Sequence, residues 1–191
     1  MGIQITKKEE KLGIRAASAC TLTFEDLKVP EENIIGGIGQ GYKMAIEIIN
    51  DARIGIAGQM LGLAQGIFDK VVPFTYERKQ FGQPIGHFQG MQFQIAQAAI
   101  EIEAARLLTY NAARRKEEGN NVTKEAAMAK FYSSQVAQKV ASSAIEWAGG
   151  VGFTREAGIE KFWRDSKIVS HPLVPSVVLL IRQRAQYMEA H

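Results

Sequence analysis

The sequence predicts a mainly α fold: an antiparallel four-helix-type bundle with a short β-strand remnant at its N-terminus. Three observations predict it. Beyond Tyr42, apolar residues recur at steps of three, four and seven, the spacing that places them on one face of a helix. Short runs of turn-forming residues, not long loops, separate the helical stretches, and long helices joined in that way pack antiparallel. Alternation of polar and apolar residues, the mark of a strand, is confined to residues 3–30.

At the N-terminus, Gly2-Ile3-Gln4-Ile5-Thr6 and Thr21-Leu22-Thr23-Phe24 alternate as half-buried strands do, and the charged run Lys7 to Lys11 reads as a solvated turn. Two or three short strands do not make an independently stable sheet. Residues 1–36 are therefore read as the remnant of a larger β-domain, with a small β-cap packed on helices as the alternative. Residues 37–191 form the helical bundle domain, entered through the glycine-rich linker Gly36 to Gly41.

The first helix is expected over about 42–79, with a kink or local break at Pro73, which removes one backbone donor. The second covers about 89–118, its inner face carrying Met91, Ile95, Ala98, Ile102, Ala105 and Ala112. Glu117-Glu118-Gly119-Asn120-Asn121 ends it with turn chemistry. The third covers about 123–148, with Ala129, Val136, Val140, Ala144 and Ala148 on one face and Gly149-Gly150 as its stop. A shorter helix follows at about 157–168, and a last one begins after Pro175 with Val177, Leu180 and Ile181. Ile100, Leu107, Phe131 and Ile145 lie off the main stripes, and a helix apolar on more than one side needs a second partner. A homo-oligomer is the simple explanation.

Composition narrows the function classes. Hydrophobic residues make up 46% and charged residues 23% of the 191, the balance of an ordinary soluble globular protein. The net charge of +3 is mild, and no basic block interleaved with aromatics points to nucleic acid. The single cysteine, Cys20, excludes an internal disulfide, and the three histidines have no metal-ligand spacing. No Glu-x-x-His pair supports a bundle-type di-iron centre. The apolar run near Val174–Ile181 is far short of the roughly 20 residues that span a bilayer. The first 11 residues carry no targeting pattern.

Three constellations could carry chemistry. Arg78-Lys79-Gln80-Phe81-Gly82, followed by Gln89, joins a permanent cation to an aromatic ring, a glycine and an amide, a set suited to an anionic, flat ligand. By composition alone, a helix end with a basic last turn and a glycine stop is the default reading. Glu146-Trp147-Ala148-Gly149-Gly150 exposes glycine backbone beside a large aromatic, or is a plain glycine cap with a core tryptophan. Tyr42 and Asn50-Asp51-Ala52-Arg53 share a helix face, since Tyr42 and Arg53 are 11 residues apart; the alternative is a solvated polar stripe.

Taken with Lys11-Leu12-Gly13-Ile14-Arg15-Ala16, Arg53 to Ala57, Leu107 to Ala113 and Glu146 to Phe153, these blocks resemble the C-terminal part of the acyl-CoA dehydrogenases, most of all the short/branched-chain members. The resemblance covers residues 3 to 168. It implies a flavin-dependent oxidoreductase, with FAD as cofactor, that desaturates short or branched acyl-CoA thioesters at the α,β-position. It implies a homotetramer, a dimer of dimers, in the mitochondrial matrix, with electron-transfer flavoprotein as redox partner. Arg78, Phe81 and Gln89 match positions that grip the ADP part of FAD bound mainly by a neighbouring subunit, and residues 146–150 match a second segment of that grip. Tyr42 and Asn50, Asp51, Ala52 and Arg53 match acyl-CoA contacts.

The family's glutamate base follows its Arg-Asp-x-Lys-Ile run. Here Arg164-Asp165-Ser166-Lys167-Ile168 is present, but the base position holds Leu173, which cannot accept a proton. The alternative position, on the first bundle helix, holds Ala52. Asp51 is rotated from it by about 100°, and neither family precedent nor spacing makes His171 a substitute. No catalytic residue is therefore assigned, and little dehydrogenase activity is expected of this chain, the flavin ring site also being expected in β-domain outside it. A non-catalytic helical assembly module is the alternative from another class; the acyl-CoA oxidases are a second enzyme alternative.

Overall fold

A computed structural model describes residues 2–168. The helix expected after Pro175, with His171 and Leu173, lies outside the described residues. Two strands, β1 (Ile3–Lys8) and β2 (Cys20–Phe24), pair antiparallel. A long helix α1 (Gly41–Glu77) follows. A two-residue hairpin, β3 (Lys79–Gln80) and β4 (Gln83–Pro84), leads into α2 (Gln89–Glu117), α3 (Thr123–Ala148) and the short α4 (Ile159–Ser166).

The helix α3 is the centre of the bundle and packs against α1, α2 and α4. Its alanines make this possible: Ala126, Ala127, Ala129, Ala137, Ala141 and Ala144 are fully buried, so neighbouring backbones come close without voids. Larger groups fill the layers between, among them Met60, Ile67 and Val71 from α1, Ile102 from α2, Val136 and Val140 from α3, and Ile159 from α4. An asparagine turn feeds α3: Asn121 Oδ1 accepts from the Thr123 amide at 3.1 Å and its hydroxyl at 2.8 Å. Gly119, with φ of 80°, closes α2. Both features follow the turn residues at 117–121.

Several expectations change. The break at Pro73 does not occur, and α1 is helical through it. Pro73 and Asp69, whose carbonyl loses its donor, are both exposed, so the orphaned oxygen is not shut away from solvent. The strands form, but they are not half-buried: Ile3, Ile5, Leu22 and Phe24 are all exposed, and Ile3–Phe24 and Ile5–Leu22 are cross-strand pairs. Two strands alone leave this apolar set without a cover. Ile145 is half-buried against the main core, which it joins from the flank of α3, whereas Ile100 and Leu107 remain exposed.

The strand unit is tied to the bundle by the loop between β1 and β2. The Ile14 amide donates to Asp165 Oδ1 at 2.6 Å, and Arg164 donates to the Leu12 carbonyl at 3.1 Å. Gly13 lies so close to α4 that a Cβ there would stand 2.2 Å from the Arg164 carbonyl oxygen. Only glycine permits that approach.

Candidate functional site

The run at 78–82 starts at the end of α1 but continues as a hairpin. Arg78 leaves α1 in extended conformation, and its carbonyl accepts the Ile85 amide at 2.9 Å, closing the β3–β4 hairpin. Phe81 and Gly82 are the two loop residues, with φ of 52° and 82°. Positive φ at both central positions is the geometry that matches the twist of a tight hairpin. Glycine adopts it freely; phenylalanine does so at a cost of about 1–2 kcal/mol. The outcome is an aromatic side chain 94% exposed at the tip. Its ring meets Phe88 edge-on at 6.3 Å, which links the hairpin to the residue before Gln89 and α2. The hairpin is also seated on α1. A Cβ at Gly86 would stand 2.9 Å from the Thr75 hydroxyl, so the chain after β4 lies directly on the last turn of α1.

The second segment is remote in sequence, at the end of α3. The helix α3 stops at Gly149, whose φ is 61°, and the chain folds back in a tight turn over Gly149–Phe153. Gly152 makes this possible, because a Cβ there would meet the Ile145 carbonyl oxygen at 2.5 Å. Trp147 is 3% exposed and donates its indole N–H to Gln94 Oε1 at 3.0 Å. Its polar handle is thus already taken, and the ring serves as a wall.

Folding brings the two segments together. Arg78, Gln80, Ile85, Trp147, Ala148, Gly149, Gly150 and Val151 line one hollow of about 460 Å³. Neither the Arg78 guanidinium nor the Gly149–Gly150 backbone has a side-chain partner among the described residues, and a Cβ on either glycine would meet only open space. A fixed cation opposite accessible glycine backbone suits a phosphate-bearing ligand. Phe81, Gln89 and Glu146 are exposed but do not line the hollow. Gln80 and Val151 do, each within a run the sequence nominated, and so does Ile85, which the sequence did not single out because the hairpin that places it read as the end of a helix. The signal was available in Gly82 beside Gln83-Pro84, a turn residue followed by a helix breaker.

The third constellation separates. None of residues 41–52 is buried, so the first turns of α1 run beyond the bundle. Tyr42 is 81% exposed there, whereas Arg53, three turns on, is 7% exposed between the helices. Arg53 donates to Asn50 Oδ1 at 2.8 Å, and burial lowers its pKa. Lys130 is lowered too, by burial first and then by the Arg53 charge. The solvated-stripe alternative therefore fails for Arg53. Ala52 is exposed, and Asp51 is engaged by Lys116 at 2.7 Å.

Comparison with known proteins agrees with this architecture. The family model described as the C-terminal domain of acyl-CoA dehydrogenase matches residues 39–172. A short/branched chain specific acyl-CoA dehydrogenase, mitochondrial, of Rattus norvegicus is 58% identical over 167 residues, 87% of this chain and 39% of the relative. The structure of butyryl-CoA dehydrogenase from Megasphaera elsdenii superposes with a TM-score of 0.92 at 37% identity, over 98% of this chain and 49% of that one. A chain from the structure described as electron transferring flavoprotein of Acidaminococcus fermentans gives 0.90 at 40% identity, over 94% and 47%. The chain thus spans about two fifths of its curated relative and half of each solved chain.

Proposed function

The chain belongs to the family of acyl-CoA dehydrogenase C-terminal domains, and on that premise we propose that it is the C-terminal region of a flavin-dependent enzyme acting on short or branched acyl-CoA thioesters. Residues 1–36 belong in this reading to the family's middle β-domain and 37–191 to its helical bundle. The uncovered apolar face of β1–β2 supports the first assignment, because a larger sheet would bury it.

The observation that carries the proposal is the hollow joining Arg78 to Gly149 and Gly150, segments remote in sequence. When bound, FAD supplies a redox centre for hydride; this chain's part is to hold the cofactor's ADP portion. Arg78 would meet phosphate oxygens that the glycine backbone lets approach, and Phe81 and Gln89, outside the hollow, would reach the same ligand where a neighbouring subunit carries it. Tyr42 and the segment Asn50 to Arg53 lie toward the acyl-CoA, Arg53 acting from its buried place through Asn50. In an intact relative, electron-transfer flavoprotein would be the acceptor; the mitochondrial names of relatives support a matrix location.

The base positions hold Leu173 and Ala52, and Asp51 is held by Lys116. The chain should therefore bind more than it turns over. The test has two arms. Equilibrium binding of ADP is expected, weakened about tenfold or more by Arg78→Ala, the loss of a charge-assisted contact. Oxidation of 2-methylbutyryl-CoA with added FAD and an artificial acceptor is expected to be negligible. Indifference of ADP to Arg78→Ala overturns the grip, and turnover at the level of an intact family member overturns the missing base. A second reading, a non-catalytic assembly module contributing to a tetramer, is favoured by one observation: Phe93, Ile100, Leu107 and Tyr110 are exposed at helical spacing along one side of α2.

A further inference from the structure

Gln94 belongs to none of the constellations above, yet it makes the one side-chain hydrogen bond that the structure gives Trp147. It stands on α2 five residues beyond Gln89, and Trp147 immediately precedes the Ala148-Gly149-Gly150 corner that lines the hollow. An indole N–H can only donate, so Trp147 needs an acceptor, and it is too deeply buried for water to serve freely. Gln94, itself exposed, supplies its Oε1 at 3.0 Å. A glutamine amide fixed by one bond of this kind ties the start of α2 to the last turn of α3.

We propose that Gln94 is a positioning residue for the cofactor grip: by holding Trp147, it sets where the Gly149–Gly150 backbone stands opposite Arg78. The inference rests on the cofactor reading above. The corner has little else to hold it. Gly149 and Gly150 carry no side chain, both are exposed, and their Cβ directions meet open space. What does anchor the corner lies immediately on either side, in Trp147 and in Gly152 packed on Ile145. The tryptophan is the one of these two anchors whose orientation depends on a partner from another helix. Gln94 is itself exposed, one turn before Ala98 on the side of α2 that carries the core residues Ala98, Ile102 and Ala105.

The chemistry makes a sharp prediction, because only the acceptor matters. Gln94→Glu keeps an oxygen in place, and Gln94→Met keeps length and helix propensity but offers no adequate acceptor. The background is Trp163→Phe, which leaves Trp147 as the sole tryptophan of the two. In Gln94→Met, Trp147 emission should shift, amide exchange at residues 149–151 should quicken, and ADP binding should weaken about fivefold, the worth of one net hydrogen bond. Gln94→Glu should restore all three. Trp147→Phe should weaken ADP binding alike, with Gln94→Met adding nothing to it. Unchanged emission and exchange in Gln94→Met overturn the inference whether or not ADP binds. Quickened exchange with unaltered ADP affinity overturns it too, since the corner's position would then not matter. Failure of the parent chain to bind ADP at all sinks the cofactor reading instead, and with it the role in a grip, while a loosened corner would still locate the tie.

Discussion

Asp165 is the residue on which the joint between strands and bundle turns. Burial raises its pKa, but the Lys161 hydrogen bond and the Ile14 amide outweigh that, and the net shift is downward. A carboxyl whose folded pKa is depressed contributes stability that is present in full above its unfolded value, about 4, and is lost as pH falls through the lower folded value. Asp165→Asn should therefore be less stable than the parent at pH 7, by about 1–3 kcal/mol in urea unfolding. The two should converge only as pH falls below the ordinary carboxylate range, through the lowered folded value. A gap that stays constant over that range would show that the charge of Asp165 is not what matters. Nothing in the sequence singled out Asp165 for this task, because its partner is the backbone of a residue 151 positions away. Gly13 is the same case: its indispensability comes from the Arg164 carbonyl standing beside it.

At the scale of the element, the helices were legible because each has a long, regular apolar stripe. The inner residues of α2 and α3 read from spacing are the ones that pack, with Met91 and Ile95 at the margin of the core. The hairpin was not legible. Its strands are two residues each, too short for any period to show, and the basic run before it continues a helical pattern without interruption. The outer side of α2 was legible in part. Ile100 and Leu107 were marked as surplus to the bundle, and Phe93 and Tyr110 extend them. A charge placed in that row should cost nothing to the isolated fold and much to any association through it. Leu107→Lys is expected to keep its thermal midpoint within a few degrees and to move the sedimentation profile to smaller species at tens of micromolar. A parent that sediments as a monomer, or a variant indistinguishable from it, would remove this face from the assembly.

At the scale of the whole molecule, the candidate site exists only through folding. The hairpin sits at the C-terminal end of α1 and the glycine corner at the C-terminal end of α3, so Arg78 and Gly149 become neighbours where two helices finish. Spacing could nominate each segment but not their meeting, since sequence separation carries no information about which helix ends adjoin. The resemblance supplied that link. The same view separates Tyr42 from Arg53: they share a helical angle, but one lies beyond the bundle and the other within it. Phe81 then sets the interests of the subunit against those of the assembly. The chain holds a bulky ring in a backbone state that suits glycine and leaves the ring almost wholly in water. Phe81→Gly should raise the unfolding free energy of the free chain, or leave it unchanged, while weakening whatever the ring touches in a partner. Thermal melts beside ADP titrations would reveal the opposed signs, and a loss on both counts would refute them. A laboratory selection that rewarded only heat resistance would therefore drift toward glycine at position 81, discarding the contact while every measure of the fold improved.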